Sequence, residues 1–332
     1  MKSPILIIGS NSFAGSNFSD YLLDKKLKVL GVSRSKEINQ IFLKYKKNKN
    51  YKKNFSFYKI DLNKDKDISK LIKIIKIKKI KYIVNFASQG MVAESWIKPW
   101  DWYSTNVVSF SKLINKIKDI KLKKFLNFST PEVYGSTKKK IREHNVFNPS
   151  TPYAISRSAQ DFNLYAHYKN FNFPVVFTRT ANIFGPHQQL YRIVPISIIK
   201  AIDNKKISLH GSGKSVRSFI FMDDVSEILF KILIDKKNIG QTFHISTKKF
   251  ISIKKLVLTI LKILGKKKLL IQNVKERDGK DFGYFLNASK IIKRYKWKNK
   301  KSLENGIKET IDWINNNLTI IKKLNLNYKH KK

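Results

Sequence analysis

The 332-residue sequence contains no cysteine, which excludes disulfide staples and thiolate chemistry and suits a cytoplasmic protein. It also lacks long apolar runs. No window approaches the roughly 18 consecutive apolar residues a membrane span needs. The N-terminal stretch MKSPILIIGSNSFAG is apolar only briefly before Gly and polar residues interrupt it, so it reads as a strand rather than a secretory signal. Acidic residues are scarce, 23 Asp and Glu against 68 Lys and Arg, and the formal net charge is +45. Arginine is scarce too, 8 of those 68. The lysines are strewn along the whole chain among Asn and Ile, as a compositional bias on solvated faces would place them. A reader of the phosphate backbone would concentrate its charge in a block with Arg, so the charge here does not point to a nucleic-acid partner. Where Lys is the default cation, each Arg suggests a site that needs a planar fork.

What is present is ample apolar material, 42% hydrophobic and 12% aromatic, in a chain long enough for two domains. Residues 4–9 (PILIIG) read as a buried strand, followed by a helix from about Ser16 to Lys25 and a second strand over Lys28–Ser33. The short apolar stretches 55–62, 81–88 and 123–130 alternate with helical patterns at Ile68–Ile77 and Val107–Ile120. Strands at Pro174–Thr178 and Gln241–Ile245 follow. Alternation at this spacing predicts an α/β fold, a Rossmann-like doubly wound parallel sheet with a smaller α/β substrate-binding domain. The expected division is a dinucleotide-binding domain over 1–180, completed by about 214–248, and a substrate domain from 181–213 and 249–317. Residues 318–332, rich in Lys and Asn, form a tail expected to fray.

Between the first strand and first helix lies Gly9-Ser10-Asn11-Ser12-Phe13-Ala14-Gly15. Small residues there let the backbone approach a pyrophosphate while the helix N-terminus faces the anion. An enzyme selective for NAD usually offers Asp or Glu at the end of strand two, but this chain has Ser33-Arg34. An Arg beside hydroxyls suits a 2′-phosphate, so NADP is favoured over NAD.

Tyr153 and Arg157 fall at i and i+4, on one face of a helix. A cation there, together with the charge of a bound nicotinamide, can lower the phenol pKa toward neutrality, as a base for a sugar hydroxyl requires; the plainer reading is a half-buried tyrosine on an amphipathic helix. With the turn at Gly9–Gly15, Asp61-Leu62, Asn85-Phe86-Ala87-Ser88, Thr105-Asn106, Ser129–Gly135, Pro152-Tyr153, Arg179 through Pro186, Gly211–Gly213, Arg217, Asp224 and Arg277–Asp281, the chain resembles an extended short-chain dehydrogenase/reductase. The resemblance is to the nucleotide-sugar epimerase/dehydratase branch and covers about residues 4 to 315. It departs from the family's Tyr-x-x-x-Lys at Arg157, which keeps the charge but cannot donate a proton.

The resemblance implies a cofactor site of Gly9, Asn11, Ser12, Phe13, Gly15, Ser33, Arg34, Asp61, Leu62, Phe86, Ala87, Ser88, Asn106, Tyr153 and Arg157. It implies catalysis by Thr130, Glu132, Tyr153 and Arg157. Substrate contacts would come from Gln89, Glu94, Thr130, Pro131, Asn182, Arg192, Arg217 and Arg277, the last two clamping a diphosphate. In the 4,6-dehydratases a Glu in the loop after strand five removes the C5 proton once C4 is a ketone, and Glu132 stands in that place. The implied cycle is redox-neutral: C4 oxidation, loss of water across C5/C6, and return of the hydride to C6 from a tightly bound, recycled cofactor. Enzymes resembling dTDP-glucose 4,6-dehydratase carry an Asp before this Glu, where this chain has Pro131. A 4-epimerase in which Glu132 is a bystander is the alternative, and a non-catalytic dinucleotide- or RNA-binding relative is a more distant one. The substrate expected is a nucleotide-diphosphate hexose, the assembly a homodimer through the helix carrying Tyr153. None of the six His has metal-ligand spacing; His187 is the one expected to border the cleft.

Overall fold

The computed structural model describes residues 3–276, 279 and 281–331. The strands are β1 (Ile5–Ile8), β2 (Val29–Ser33), β3 (Phe55–Lys59), β4 (Tyr82–Asn85), β5 (Lys124–Ser129), β6 (Val175–Thr180) and β7 (Asn182–Phe184). They continue with β8 (Ile207–His210), β9 (Val216–Arg217), β10 (Phe219–Phe221), β11 (Thr242–Ile245), β12 (Ile251–Ser252) and β13 (Ile271–Val274). Seven of them make one sheet in the order β11-β6-β5-β4-β1-β2-β3, every pair parallel. The doubly wound α/β reading holds.

β1 is a continuous apolar run because both of its faces are covered. Ile5 and Ile7 pack into the core on one side with Phe18 and Leu22, while Leu6 and Ile8 pack on the other with Ile68 and Phe110. Full burial of each such side chain is worth about 1.5–3 kcal/mol. This central, rigid strand delivers Gly9 to the carboxyl edge of the sheet. A third core, around Phe184, Phe221, Ile307 and Trp313, lies beside the two-stranded pairs β7/β10 and β9/β12.

Two expectations differ from the structure. The single helix read over Val107–Ile120 is a π-helical stretch, Ser104–Ser109, followed by an α-helix over Phe110–Ile117. The wider turn carries Asn106 inward, a feature that often marks functional sites. Residues 318–331, whose composition suggests fraying, contain a short helix over Leu318–Ile321 and lay Leu324 and Leu326 on the third core. Local composition is uninformative there because the contacts are with residues far away in the chain.

Candidate active site

The carboxyl ends of β1, β2, β4 and β5 converge on one edge, where open α/β sheets hold their ligands. The turn after β1 has room only because two residues lack a Cβ. A Cβ on Gly9, whose φ is +88°, would stand 2.7 Å from the Ala87 nitrogen, and one on Gly15 would stand 2.2 Å from the Gly9 carbonyl oxygen. Ser12 caps the following helix (Phe13–Asp24): its Oγ accepts from the Gly15 N–H at 3.0 Å and donates to the Gly9 carbonyl at 2.7 Å. The Asn11 N–H donates to Ser33 Oγ at 2.9 Å, tying the turn to the end of β2, while Asn11 Oδ1 is buried without a partner. Bare backbone, a helix N-terminus and an unsatisfied acceptor together fit a dinucleotide pyrophosphate and ribose.

Other residues expected at the cofactor take several positions. Phe13 and Phe86 are buried beneath the turn, and Leu62 and Ala87 pack on the core of the opposite face. The backbone N–H of Asp61 is held by Asp67 at 2.8 Å, and its own carboxylate accepts from Asn63 N–H at 3.1 Å. Ser88 is half-buried at the end of the β4 loop. Asn106 is fully buried: its Oδ1 accepts from the Gln89 N–H at 2.7 Å and its Nδ2 donates to the Gln89 carbonyl and to Ser156 Oγ. It shapes the loop from below, its carboxamide committed to protein partners.

The chemical groups meet where β5 ends. Thr130 is extended and buried, and Pro131–Tyr134 forms a 3-10 turn carrying Glu132. The helix Pro152–Phe171 starts opposite, capped by Thr151, and brings Tyr153 and Arg157 inward. Arg157 is 2% exposed; its Nη2 donates to the Phe128 carbonyl at 2.6 Å, and its Nε is buried without a partner. Glu132 Oε2 is likewise buried and unpartnered. Burial pushes the Glu132 carboxyl above its ordinary value of 4.5, with Arg217 and Arg157 opposing and Asp281 reinforcing the rise. Burial also lifts the Tyr153 phenol above 10.0, and the Glu132 charge adds to it; Arg157, hydrogen bonding with Thr130 and Arg192 pull it down. Arg157 by itself therefore does not carry the phenol toward neutrality, since desolvation outweighs one guanidinium; the expectation also called on the charge of a bound nicotinamide.

On the substrate side, Arg217 donates to the carbonyls of Val216, Phe282 and Asp281 at 2.8 to 2.9 Å and stacks on Tyr284, 4.4 Å from the ring centre. Asn182 and Arg192 are exposed, and Arg192 covers the Tyr191 ring. Glu94 keeps a buried, unpartnered Oε2, and Pro131 is buried. Arg277 lies outside the described residues. His187 does not border the cleft: it is 7% exposed, bonds the Ile41 carbonyl and packs 5.5 Å from Trp313. The histidine found beside Gln89 is His330, from the tail.

Composition gave no signal for a buried network behind the site. Arg179 on β6 lies 3.5 Å from Asp161 and donates to the Tyr134 hydroxyl, which also bonds His244 Nε2 at 2.7 Å. Asp161 in turn accepts from Asn127 and Ser129, the strand that leads to Thr130. The network spans five elements: β5, the 3-10 turn after it, the helix Pro152–Phe171, β6 and β11.

Residues 6–310 match the family model described as GDP-mannose 4,6 dehydratase. The chain belongs to that family. It is an extended short-chain dehydrogenase/reductase of the nucleotide-sugar dehydratase/epimerase kind. It is 30% identical to dTDP-D-glucose 4,6-dehydratase of Dictyostelium discoideum, over 94% of this chain and 82% of that one. A trifunctional UDP-glucose 4,6-dehydratase/UDP-4-keto-6-deoxy-D-glucose 3,5-epimerase/UDP-4-keto-L-rhamnose-reductase of Arabidopsis thaliana is 28% identical over 94% of this chain, which spans only about half its length, 47%. Among solved structures, a dTDP-glucose 4,6-dehydratase from Bacillus anthracis in complex with NAD superposes with a TM-score of 0.84 at 29% identity, covering 97% of this chain and 100% of that one. These relatives support the dehydratase reading over the epimerase one.

Proposed function

We propose that this family member is a nucleotide-sugar 4,6-dehydratase that converts a nucleotide-diphosphate hexose to its 4-keto-6-deoxy form. The observation that carries the reading is half-buried Glu132, whose Oε2 is sealed from solvent without a partner and whose charge is felt by the Tyr153 phenol. A bystander in an epimerase would have no reason to bear the cost of that desolvation.

In this reading Tyr153, with Thr130 beside it, takes the proton from the sugar O4, and Arg157 steadies the phenolate. A nicotinamide held by the cofactor residues named above would supply the hydride acceptor and donor that the cycle needs. Glu132 removes the C5 proton, acidic once C4 is a ketone, and its raised affinity for protons suits it to pass one to the departing C6 hydroxyl. That second duty follows from Pro131, which has no proton to give; solvent then restores the proton at C5. Arg217, Arg277, Asn182 and Arg192 would hold the nucleotide diphosphate, with Gln89 and Glu94 on the sugar side. The cofactor residues named above would take the dinucleotide, in a nucleotide-binding part over 1–180 and 214–248 facing a substrate part over 181–213 and 249–317.

Ser33 and Arg34 favour NADP, whereas the Bacillus anthracis relative was solved with NAD. Titration with both should find NADP tighter, and an Arg34→Asp variant should invert the order. Ile155 and Phe162 on the helix carrying Tyr153, and Val108 nearby, are exposed apolar residues, which supports a homodimer through that helix. Among the described residues no helix is long and apolar enough to cross a membrane; with no cysteine in the chain, a cytoplasmic site of action fits. Incubation with a panel of nucleotide sugars tests the whole reading. A dehydratase yields a product lighter by one water with an alkali-labile 4-keto absorbance; a 4-epimerase yields neither.

A further inference from the structure

Residues 324–331 stay against the body of the protein. After Leu324 and Leu326 settle on the third core, Tyr328 meets the Tyr191 ring edge-on at 5.2 Å. His330 stacks on Trp102, 5.0 Å between ring centres and 9° from parallel. Its Nε2 lies 2.7 Å from an Asp101 carboxylate oxygen, and its Nδ1 lies 3.1 Å from Gln89 Nε2. The Lys331 carbonyl accepts from Gln89 Nε2 at 2.8 Å and from Arg34 Nη1 at 3.0 Å. Arg34 and Gln89 themselves approach to 3.5 Å.

Topology gives this bridge its meaning. Arg34 follows β2 and Gln89 follows β4, and in the sheet these strands flank β1. A link between them therefore passes over the carboxyl end of β1, above the Gly9–Gly15 turn. Any dinucleotide lying along that edge must run beneath the link or displace it. The chemistry of the segment chooses between the two. A tail that imitates the anionic dinucleotide would be expected to carry carboxylates, yet residues 322–331 read KKLNLNYKHK, with none. The segment carries Lys329 and Lys331 instead, exposed cations whose charge favours an anionic dinucleotide rather than competing with it.

We propose that residues 327–331 are a strap that closes over the bound dinucleotide and slows its release. The proposal rests on the dehydratase reading, in which one cofactor molecule serves successive turnovers and gains from retention. His330 is the buckle, held by Trp102 and Asp101, and the Lys331 carbonyl spans the groove.

The test uses the full chain, a chain stopped after Leu326 that keeps both core-packing leucines, and the full-length variants His330→Ala and Asp101→Asn. Release of reduced dinucleotide, NADPH and NADH in parallel, is followed by its fluorescence after a chase with excess oxidised form. The strap predicts release at least tenfold faster from the shortened chain and severalfold faster from each point variant, with unfolding temperatures unchanged. It also predicts that Asp101→Asn adds nothing once His330 is replaced by Ala, because the Asp101 contact is made to the His330 ring. Unchanged release overturns the strap. So does tighter dinucleotide binding by the shortened chain, which would mean that the tail competes for the site. If the shortened chain and the full chain both fail to bind either dinucleotide, the dehydratase reading falls and the strap with it.

Discussion

The Asp161 carboxylate accepts a hydrogen bond from the Ser129 hydroxyl at 2.8 Å, joining the helix that carries Tyr153 to the strand end that carries Thr130. The two halves of the proposed proton-transfer site thus share one buried anchor. Asp161 is also 3.5 Å from Arg179, and both are essentially inaccessible to solvent. Replacing Asp161 by Asn leaves the Arg179 charge buried with only neutral partners. Loss of one partner of a buried pair costs about 3–5 kcal/mol, so denaturant unfolding of Asp161→Asn should show a midpoint shift of that order. In the fraction that stays folded, kcat should fall more than KM, since the anchor sets the geometry of Thr130 against Tyr153. A variant with wild-type stability would contradict the burial argument.

Glu132→Gln keeps the shape of the side chain and removes its basicity. Loss of a positioned base typically costs about 10²–10⁴-fold, so formation of the 4-keto-6-deoxy product should drop by that factor while dinucleotide binding stays as it was. For the intact enzyme, burial raises the proton affinity of Glu132, and the carboxylate form is the one that removes the C5 proton. Turnover should therefore decline on acidification at a pH above the ordinary carboxyl value of 4.5. A pH profile flat down to that value would remove Glu132 from the role.

Gly15→Ala tests the turn without touching the chemistry. The added methyl would fall 2.2 Å from the Gly9 carbonyl oxygen, a backbone atom that cannot move aside without opening the turn. Equilibrium dialysis should find dinucleotide binding weakened by at least an order of magnitude, with the sheet intact by circular dichroism.

His244 supplies a prediction about acid stability. Burial and the Arg179 charge hold it neutral, with its pKa lowered from 6.5 to about 3. Between those values the unfolded chain binds a proton that the folded chain refuses, so stability falls as pH is lowered from 6.5 toward 3 and is unaffected by this group above 6.5. His187, lowered to about 4, acts with the same sign over a narrower window. His244→Gln should flatten the slope of unfolding free energy against pH in this range while leaving the contribution of His187. An unaltered slope would mean that His244 titrates normally.

The sequence by itself determined the strand–helix alternation, the bare turn at Gly9–Gly15 and the pairing of Tyr153 with Arg157. Each depends on neighbours within a few residues: an apolar run such as ILII, a missing Cβ, an i to i+4 spacing on one helix. Only the tertiary structure decided which groups lose water and which distant groups meet. It drew the half-buried Glu132 and Tyr153 partly out of water at one place and so raised both proton affinities against the pull of Arg157. It joined Asp161, Arg179, Tyr134 and His244 from separate elements, put His187 into a core, and set a lysine-rich tail against Arg34, Gln89 and Trp102. Desolvation and long-range contact depend on what packs around a side chain, and no local window of residues contains that information.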